Sequence, residues 1–143
     1  MSNILLAIKR VVANRRLDVE EHDLQNNRIN SVGKNLEEYI KNLFADTFES
    51  DPEERKTIFD NIFSYQGGKK NPPDLMIRDG DAIEIKKIES KKGELALNSS
   101  HPKSKLYVED SKINNSCRNC EDWTVKDFIY AVGQIPKGEK KLR

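Results

Sequence analysis

The segment 71–88 constrains the fold of this chain more than any other, because its pattern specifies a β-hairpin. A short apolar run at 74–77 is followed by the turn-forming residues 78–81. A second run, 82–86, then alternates between apolar and charged residues, which is typical of a strand with one buried face. We therefore predict two antiparallel strands joined by a tight turn.

Charged side chains are placed together by this hairpin. Successive side chains of a strand point to opposite faces, so Ile83 and Ile85 share one face while Glu84 and Lys86 share the other. Asp74 stands at the start of the facing strand, after two prolines that hold the chain extended. The pattern predicts that two carboxylates and one ammonium group converge at one end of a sheet.

Such a group of side chains suits phosphodiester hydrolysis. Two carboxylates on rigid strands can hold a hard divalent cation such as Mg²⁺, which stabilises charge on the phosphate and lowers the pKa of a bound water. A lysine on the same face can orient the attacking water. The arrangement Pro73-Asp74, nine residues, then Glu84-x-Lys86 resembles the PD-(D/E)xK nuclease signature. The alternative is a surface hairpin with a solvated charged face.

Length and composition are those of one domain, or part of one, with 143 residues and 34% charged residues. No stretch approaches the ~20 apolar residues of a membrane span, and the N-terminus lacks the pattern of a secretory signal. Cys117 and Cys120 are spaced as CxxC, which is half of a zinc site, but no second pair of ligands follows. We expect two reduced cysteines and a cytoplasmic protein.

The distribution of charge favours a polyanionic partner for the part of the chain that contains the hairpin. Residues 55–143 hold 18 basic and 13 acidic residues, whereas residues 17–54 hold 3 basic and 11 acidic residues. Lysines suit phosphate contacts, and asparagine and serine side chains can read base edges. The candidate DNA contacts are Lys87, Lys91, Lys92, Asn98, Ser99, Ser100, Lys103 and Lys105. An ordinary polar loop is the alternative for this segment.

The segment 33–48 has the most regular helical pattern, and the spacing predicts a helix over 34–48. Its apolar side chains form one stripe, made of Leu36, Tyr39, Ile40, Leu43, Phe44 and Phe48. At about 100° per residue, Glu38 falls opposite the stripe, in solvent, whereas Glu37 falls at its margin. We therefore expect Glu37 to reach a site on the sheet; a surface charge is the alternative.

Three further elements complete the prediction. The sequence after Asp51 predicts a helix over 52–65, and the run 128–135 predicts a buried central strand. The segment 3–16 predicts a helix packed on the domain, with a basic transit peptide as the alternative; its apolar face would consist of Ile4, Leu5, Ile8, Val11 and Val12. The fold class is α/β, with a mixed sheet flanked by the helices at 34–48 and 52–65.

Several segments together resemble the NgoPII-type family of type II restriction endonucleases. They are GKNLEEYIKNLFADTF, NPPDLMIRDGDAIEIKKIES, LALNSSHPKSKLY, the SCRNCEDW stretch and KDFIYAVG. The resemblance covers about residues 26–135. It implies a restriction-endonuclease-like core and Mg²⁺-dependent cleavage of double-stranded DNA within the sequence GGCC.

The resemblance also implies roles for individual residues. Asp74 and Glu84 would be metal ligands, Lys86 the catalytic lysine, and Glu37 the helix acid that helps to position metal or water. Hydrolysis would leave 5′-phosphate ends, and the palindromic site implies a homodimer, with a DNA methyltransferase as the genetic partner. Members of the family are longer, so we expect this chain to be either the N-terminal part of such an enzyme or the product of a truncated gene. A non-catalytic DNA-binding module and an inactive truncated fragment are the alternatives.

Overall fold

The architecture is a five-stranded sheet with helices packed against it. A computed structural model describes residues 2–14, 28–68, 70–89 and 103–135. Within these ranges the elements are α1 (Ile4–Asn14), α2 (Arg28–Ala45), α3 (Pro52–Ile62), β1 (Phe63–Gln66), β2 (Leu75–Ile77), β3 (Ala82–Ile88), β4 (Lys105–Tyr107), α4 (Asn115–Arg118) and β5 (Val125–Gln134). No helix in the described ranges combines the length and the apolar character needed to cross a membrane.

The sheet is mixed, with the strand order β1-β2-β3-β5-β4. β2 and β3 are antiparallel and form the predicted hairpin, in which Leu75 pairs with Ile83 and Met76 with Ala82. β3 runs parallel to β5, whereas β4 pairs with β5 in the antiparallel direction. The predicted α/β class with a mixed sheet flanked by helices is confirmed.

The predicted apolar stripe of α2 packs on one face of this sheet. Leu43 and Phe44 lie in one buried cluster with Leu75, Ile77 and Ile83 of the hairpin. Because Ile83 is fully buried on this face, its neighbour Glu84 must point to the opposite face. Burial of the isoleucine face thus fixes the orientation of the acid-base face.

A second apolar cluster covers part of the other face of the sheet. Its buried members are Tyr65, Met76, Ala82, Leu106, Ile113 and Cys117. These residues come from β1, β2, β3, β4 and the segment around α4, so the segment that contains Ile113 and α4 forms a cover on this face of the sheet. Sequence periodicity does not predict this cover, because each of its segments contributes only one or two buried residues.

The prediction of a helix over 52–65 is wrong in its last turn. The helix begins as expected, since the Asp51 side chain accepts hydrogen bonds from the backbone N–H groups of Glu53 and Glu54, both at 3.0 Å. It ends at Ile62, however, and the chain continues directly as β1. Strand pairing with β2 satisfies the backbone there and overrides the local helical pattern.

A β-bulge explains why the sequence of β1 is difficult to interpret. Phe63 pairs with Ile77 and Tyr65 pairs with Met76, so the register shifts between the two aromatic residues. Phe63 consequently joins the cluster on the α2 face, whereas Tyr65 joins the cluster on the opposite face. In a regular strand these two side chains would share one face.

The predicted helix over 34–48 is displaced at both ends. It begins at Arg28 and ends at Ala45. The helix stops at Ala45 because Asp46 adopts a positive φ of 61° and its N–H donates to the carbonyl of Asn42. Phe48 nevertheless packs on Tyr39, with ring centroids 5.4 Å apart, although it lies beyond the helix. The stripe was therefore correctly assigned to the core even where the helix was not.

The prediction for the buried face of α1 is wrong for most of the apolar residues assigned to it. Four of them are exposed in the described structure: Leu5, Ile8, Val11 and Val12. The helix does pack on α2, but through the buried Ala7 and through Arg10, which donates to the carbonyls of Leu43 and Phe44 at 3.0 and 2.5 Å. Because the small Ala7 allows close approach and Arg10 satisfies the last carbonyls of α2, this side faces inward.

The strand predicted at 128–135 is confirmed as an internal strand, since β5 lies between β3 and β4. It begins three residues earlier, at Val125, and it is only half-buried along much of its length. Val132 is 47% exposed on the face shared with Glu84 and Lys86. The prediction of complete burial is wrong because the described residues leave this face open beside the acid-base pair.

Candidate active site

Asp74 is held by backbone groups on both sides of its strand. Its Oδ2 accepts a hydrogen bond of 2.6 Å from the N–H of Ile85, on the facing strand of the hairpin. Its carbonyl accepts a bond of 2.6 Å from the N–H of Gly67, which follows β1. A Cβ atom at Gly67 would lie 2.5 Å from the carbonyl oxygen of Pro73, so only glycine allows this close approach. The carboxylate of Asp74 is thus held from β3, and its backbone is held by the residue that follows β1.

The environment of Asp74 opposes its ionisation. Burial raises the pKa of its carboxyl group to about 6, and the negative charges of Glu84 and Glu37 act in the same direction. The hydrogen bond from Ile85 and the charge of Lys86 lower the pKa but do not cancel this effect. A carboxyl group placed near other acids, away from water, is a suitable partner for a cation.

Glu84 and Lys86 form the acid-base pair predicted from the alternation of the second strand. Lys86 Nζ lies 2.6 Å from Glu84 Oε1, and the two side chains are only 18% and 14% exposed. The second carboxylate oxygen, Glu84 Oε2, is buried and has no hydrogen-bond partner among the described residues. An unpartnered buried carboxylate oxygen is costly, so it indicates a position at which a ligand supplies the missing interaction.

The two neighbouring acids of α2 lie in different surroundings. Glu37 forms an ion pair with Lys41 at 2.8 Å, and its charge acts on Asp74. Glu38 lies 3.9 Å from Arg55 of α3. The structure therefore brings Glu37, and not Glu38, into the electrostatic surroundings of the hairpin carboxylates.

The donor set fits a hard divalent cation that keeps much of its own water. The described residues contain no group of three or more His, Cys, Asp or Glu side chains that could enclose a metal. Mg²⁺, however, is commonly held by one or two carboxylates together with water and substrate phosphate. Asp74 and the unpartnered oxygen of Glu84 meet that requirement, whereas a closed structural zinc site would need four protein ligands.

Tyr130 is a neighbour of this site that sequence reasoning missed. In the parallel register Glu84 pairs with Tyr130 and Lys86 pairs with Val132, so their side chains share one face. The Tyr130 hydroxyl accepts a hydrogen bond of 3.2 Å from the N–H of Lys103. The apolar run around Tyr130 indicated only a buried strand, because sequence spacing does not identify the strand with which it pairs.

Comparison with known proteins identifies the family of this chain. The family model described as NgoPII restriction endonuclease matches residues 2–143. The chain belongs to the NgoPII restriction endonuclease family. The resemblance predicted from the sequence segments is confirmed.

One curated relative of this NgoPII family member is the type II restriction enzyme NgoPII of Neisseria gonorrhoeae. The two sequences are 50% identical over 141 residues, which is 99% of this chain and 50% of the relative. The chain thus spans about half the length of the curated relative that it matches. No solved structure matches the chain.

The predicted DNA contacts of this NgoPII family member are only partly described. Lys103 and Lys105 are exposed, and they form ion pairs with Asp110 and Asp127 respectively. Lys87 pairs with Glu89 at 2.7 Å and lies on the face of β3 opposite to Lys86. Five candidates lie outside the described residues: Lys91, Lys92, Asn98, Ser99 and Ser100.

Proposed function

We propose that this chain carries the catalytic centre of a type II restriction endonuclease, which cleaves double-stranded DNA with the help of Mg²⁺. One observation supports this proposal above the others: Glu84 has a buried carboxylate oxygen that lacks a partner in the described ranges, beside Lys86 and on the hairpin of Asp74. Membership of the NgoPII family gives this geometry its chemical context.

Asp74 and Glu84 are the proposed metal ligands. Each offers a carboxylate oxygen from a rigid strand, and the raised pKa of Asp74 reflects the unfavourable burial of negative charge that a cation would relieve. When bound, Mg²⁺ would supply charge stabilisation at the scissile phosphate and a water of lowered pKa. The protein's contribution is to hold both carboxylates in place before the substrate arrives.

Lys86 is proposed to act on the attacking water and on the phosphate. Its Nζ is held by Glu84 and largely withdrawn from solvent, so its charge is less screened than that of a surface lysine. From this position it can orient the water by donating a hydrogen bond and offset the negative charge that develops on the phosphate. Glu37 is proposed to assist by fixing metal or water from the edge of α2.

The substrate and partners are proposed on the basis of family membership. We propose that the enzyme recognises GGCC, leaves 5′-phosphate ends, and works in the cytoplasm beside a DNA methyltransferase that protects the same site. Two copies acting on a palindrome would each cut one strand. Lys87, Lys103 and Lys105, with the polar residues between 91 and 100, are proposed to contact DNA. Retention of those contacts without cutting would define a binding module.

A cleavage assay tests the proposal directly. The 143-residue chain would be incubated with a plasmid containing GGCC sites and with a plasmid from which those sites have been removed, with Mg²⁺ or with EDTA. We expect Mg²⁺-dependent fragments that end at GGCC, from the first plasmid only. Metal-independent fragments, or fragments unrelated to GGCC, would contradict the proposal. DNA binding with no cutting would favour the binding module.

A further inference from the structure

Three sulfur atoms meet on the face of the sheet that is covered by α4. Cys117 Sγ lies 3.2 Å from Met76 Sδ, and Cys120 Sγ lies 4.0 Å from the same atom. Met76 and Cys117 are fully buried, whereas Cys120 is half-buried. The two cysteines are free thiols in the structure. The CxxC pair therefore has a third sulfur partner that its spacing in the sequence did not reveal.

We propose that Met76, Cys117 and Cys120 form a three-sulfur binding site for a soft monovalent cation of the Cu(I) class. Thiolate and thioether sulfur are the ligands that such cations prefer. For a metal–sulfur bond of about 2.3 Å, three sulfurs around one metal lie about 4 Å apart. The separation of 4.0 Å between Cys120 Sγ and Met76 Sδ matches this distance, whereas Cys117 Sγ, at 3.2 Å, would have to move away from Met76 Sδ to admit the ion.

The same geometry disfavours a hard or borderline divalent cation at this position. Zinc in a structural site takes four ligands, almost always cysteine, histidine or carboxylate. The described residues contain no group of three or more such side chains that could hold a metal ion. A site with two cysteines and one methionine matches a soft monovalent cation better than it matches zinc.

A filled site would carry charge, because both thiols must lose a proton to bind the cation. Binding of Cu(I) would displace one proton from each cysteine to solvent, leaving a complex with one net negative charge and no change of oxidation state. The positive charges of Arg118 and Lys126 favour the thiolate of Cys117 and would stabilise that complex.

The positions of the three ligands determine how a cation reaches the site and what its binding does to the fold. The half-buried Cys120 offers a path from solvent to the two buried sulfurs. A bound cation would join α4 and the residues just after it to β2, since Met76 lies in that strand. Binding should therefore stabilise the fold, because the unfolded chain does not keep the three sulfurs together. This inference does not depend on nuclease activity.

Titration of the reduced chain with Cu(I) under anaerobic conditions tests the site. The chelator bathocuproine disulfonate would serve as the competitor, and thermal melting would report stabilisation. We expect one Cu(I) per chain, a higher Tm, and an X-ray absorption spectrum that shows three sulfur neighbours around the copper. Failure to compete with the chelator, or no rise in Tm at one Cu(I) per chain, would overturn the proposal.

Variants separate a three-sulfur site from a simple pair of thiols. Met76→Leu keeps the volume of the side chain and removes the thioether, so the fold should survive. Since changes outside the ligand shell already lower metal affinity about 10–100-fold, loss of this ligand should lower Cu(I) affinity by at least about tenfold. Cys120→Ser should weaken binding further, and Ser116→Ala, at a neighbouring exposed residue, should leave it unchanged. Unchanged affinity and two sulfur neighbours in both wild type and Met76→Leu would overturn the proposal.

Discussion

Lys86 Nζ lies 2.6 Å from Glu84 Oε1, and a single residue separates Glu84 from Lys86 on their strand. Alternation of side chains along β3 places both on one face. Burial of Ile83 on the opposite face fixes which face of the strand is directed to the core. The lysine is thereby held by one carboxylate oxygen, while the other, Glu84 Oε2, has no partner in the part of the chain that the structure describes.

Lys86→Ala should lower the rate of DNA cleavage by about 100–1000-fold, because an ammonium group preorganised in a site of low solvent exposure is lost. DNA binding should change little, since the proposed role of the lysine is in the reaction rather than in affinity. Cleavage is measured by loss of supercoiled plasmid, and binding by a gel-shift assay with Ca²⁺. Lys56→Ala, at an exposed lysine of α3, is the matched control. Cleavage by Lys86→Ala at the parental rate would show that the site is assigned incorrectly.

Glu37→Ala should lower cleavage about 10–100-fold, the range found when groups that support metal ligands are removed. Glu38→Ala is the control on the same helix, because its side chain approaches Arg55 instead. Both variants remove one carboxylate from α2, so a general effect of charge on DNA binding would appear in both. Impairment by Glu38→Ala alone would contradict the placement of Glu37 beside the site.

At pH values well above 6 and without divalent cations, Asp74→Asn should have a higher Tm than the wild type. The carboxyl group has a pKa of about 6 in the fold, compared with an ordinary value of 3.8, so between these values the unfolded chain binds fewer protons. Ionisation of this carboxyl group therefore lowers the free energy of unfolding of the wild type as the pH rises through this window, by at most about 3 kcal/mol. Asparagine avoids this loss and keeps an acceptor for Ile85 N–H.

Thermal melts at about pH 4 and about pH 8 measure this difference, which should be small at the lower pH and largest at the higher pH. Asp122→Asn, at an exposed residue, serves as the control. Added Mg²⁺ should stabilise the wild type, and not Asp74→Asn, at the higher pH. A difference in Tm that is independent of pH would contradict the assignment of a raised pKa to Asp74.

Gly67→Ala should destabilise the fold by about 1–3 kcal/mol and impair cleavage, because the new Cβ would lie 2.5 Å from Pro73 O and 2.9 Å from the Tyr65 ring. Relief of these contacts must move Gly67 away from Asp74, whose carbonyl accepts its N–H. Gly68→Ala is the control, since nothing lies within 4 Å of a Cβ at that position. Chemical denaturation and plasmid cleavage measure the two effects. Equal behaviour of the two variants would show that Gly67 does not position Asp74.

The hairpin was predictable because its signals are local. Alternation over 82–86 gives the faces of β3, and the turn residues at 78–81 give the reversal. The start of α3 was predictable for the same reason, as a capping aspartate acts within its own helical turn. Such features depend on residues that are close in the sequence, so tertiary contacts rarely reverse them.

The parts that were predicted wrongly depend on partners distant in the sequence. β1 was assigned to a helix because its pairing with β2, and the bulge that separates Phe63 from Tyr65, leave no local signal. The buried side of α1 was assigned to its large apolar residues, but Ala7 and Arg10 meet the end of α2 instead. Periodicity identifies a possible face of a helix and does not identify the surface that covers it.

The sequence by itself determined the hairpin, the acid-base face formed by Glu84 and Lys86, the helix that carries Glu37, and the NgoPII family. Only the tertiary structure decided that Glu37 acts on Asp74, that Tyr130 lies beside Glu84, and that Met76 meets the two cysteines. The physical reason is that side-chain alternation and capping act within a few residues, whereas these proximities result from packing and strand pairing across tens of residues. The candidate chemistry is encoded locally, and its surroundings are set by the fold.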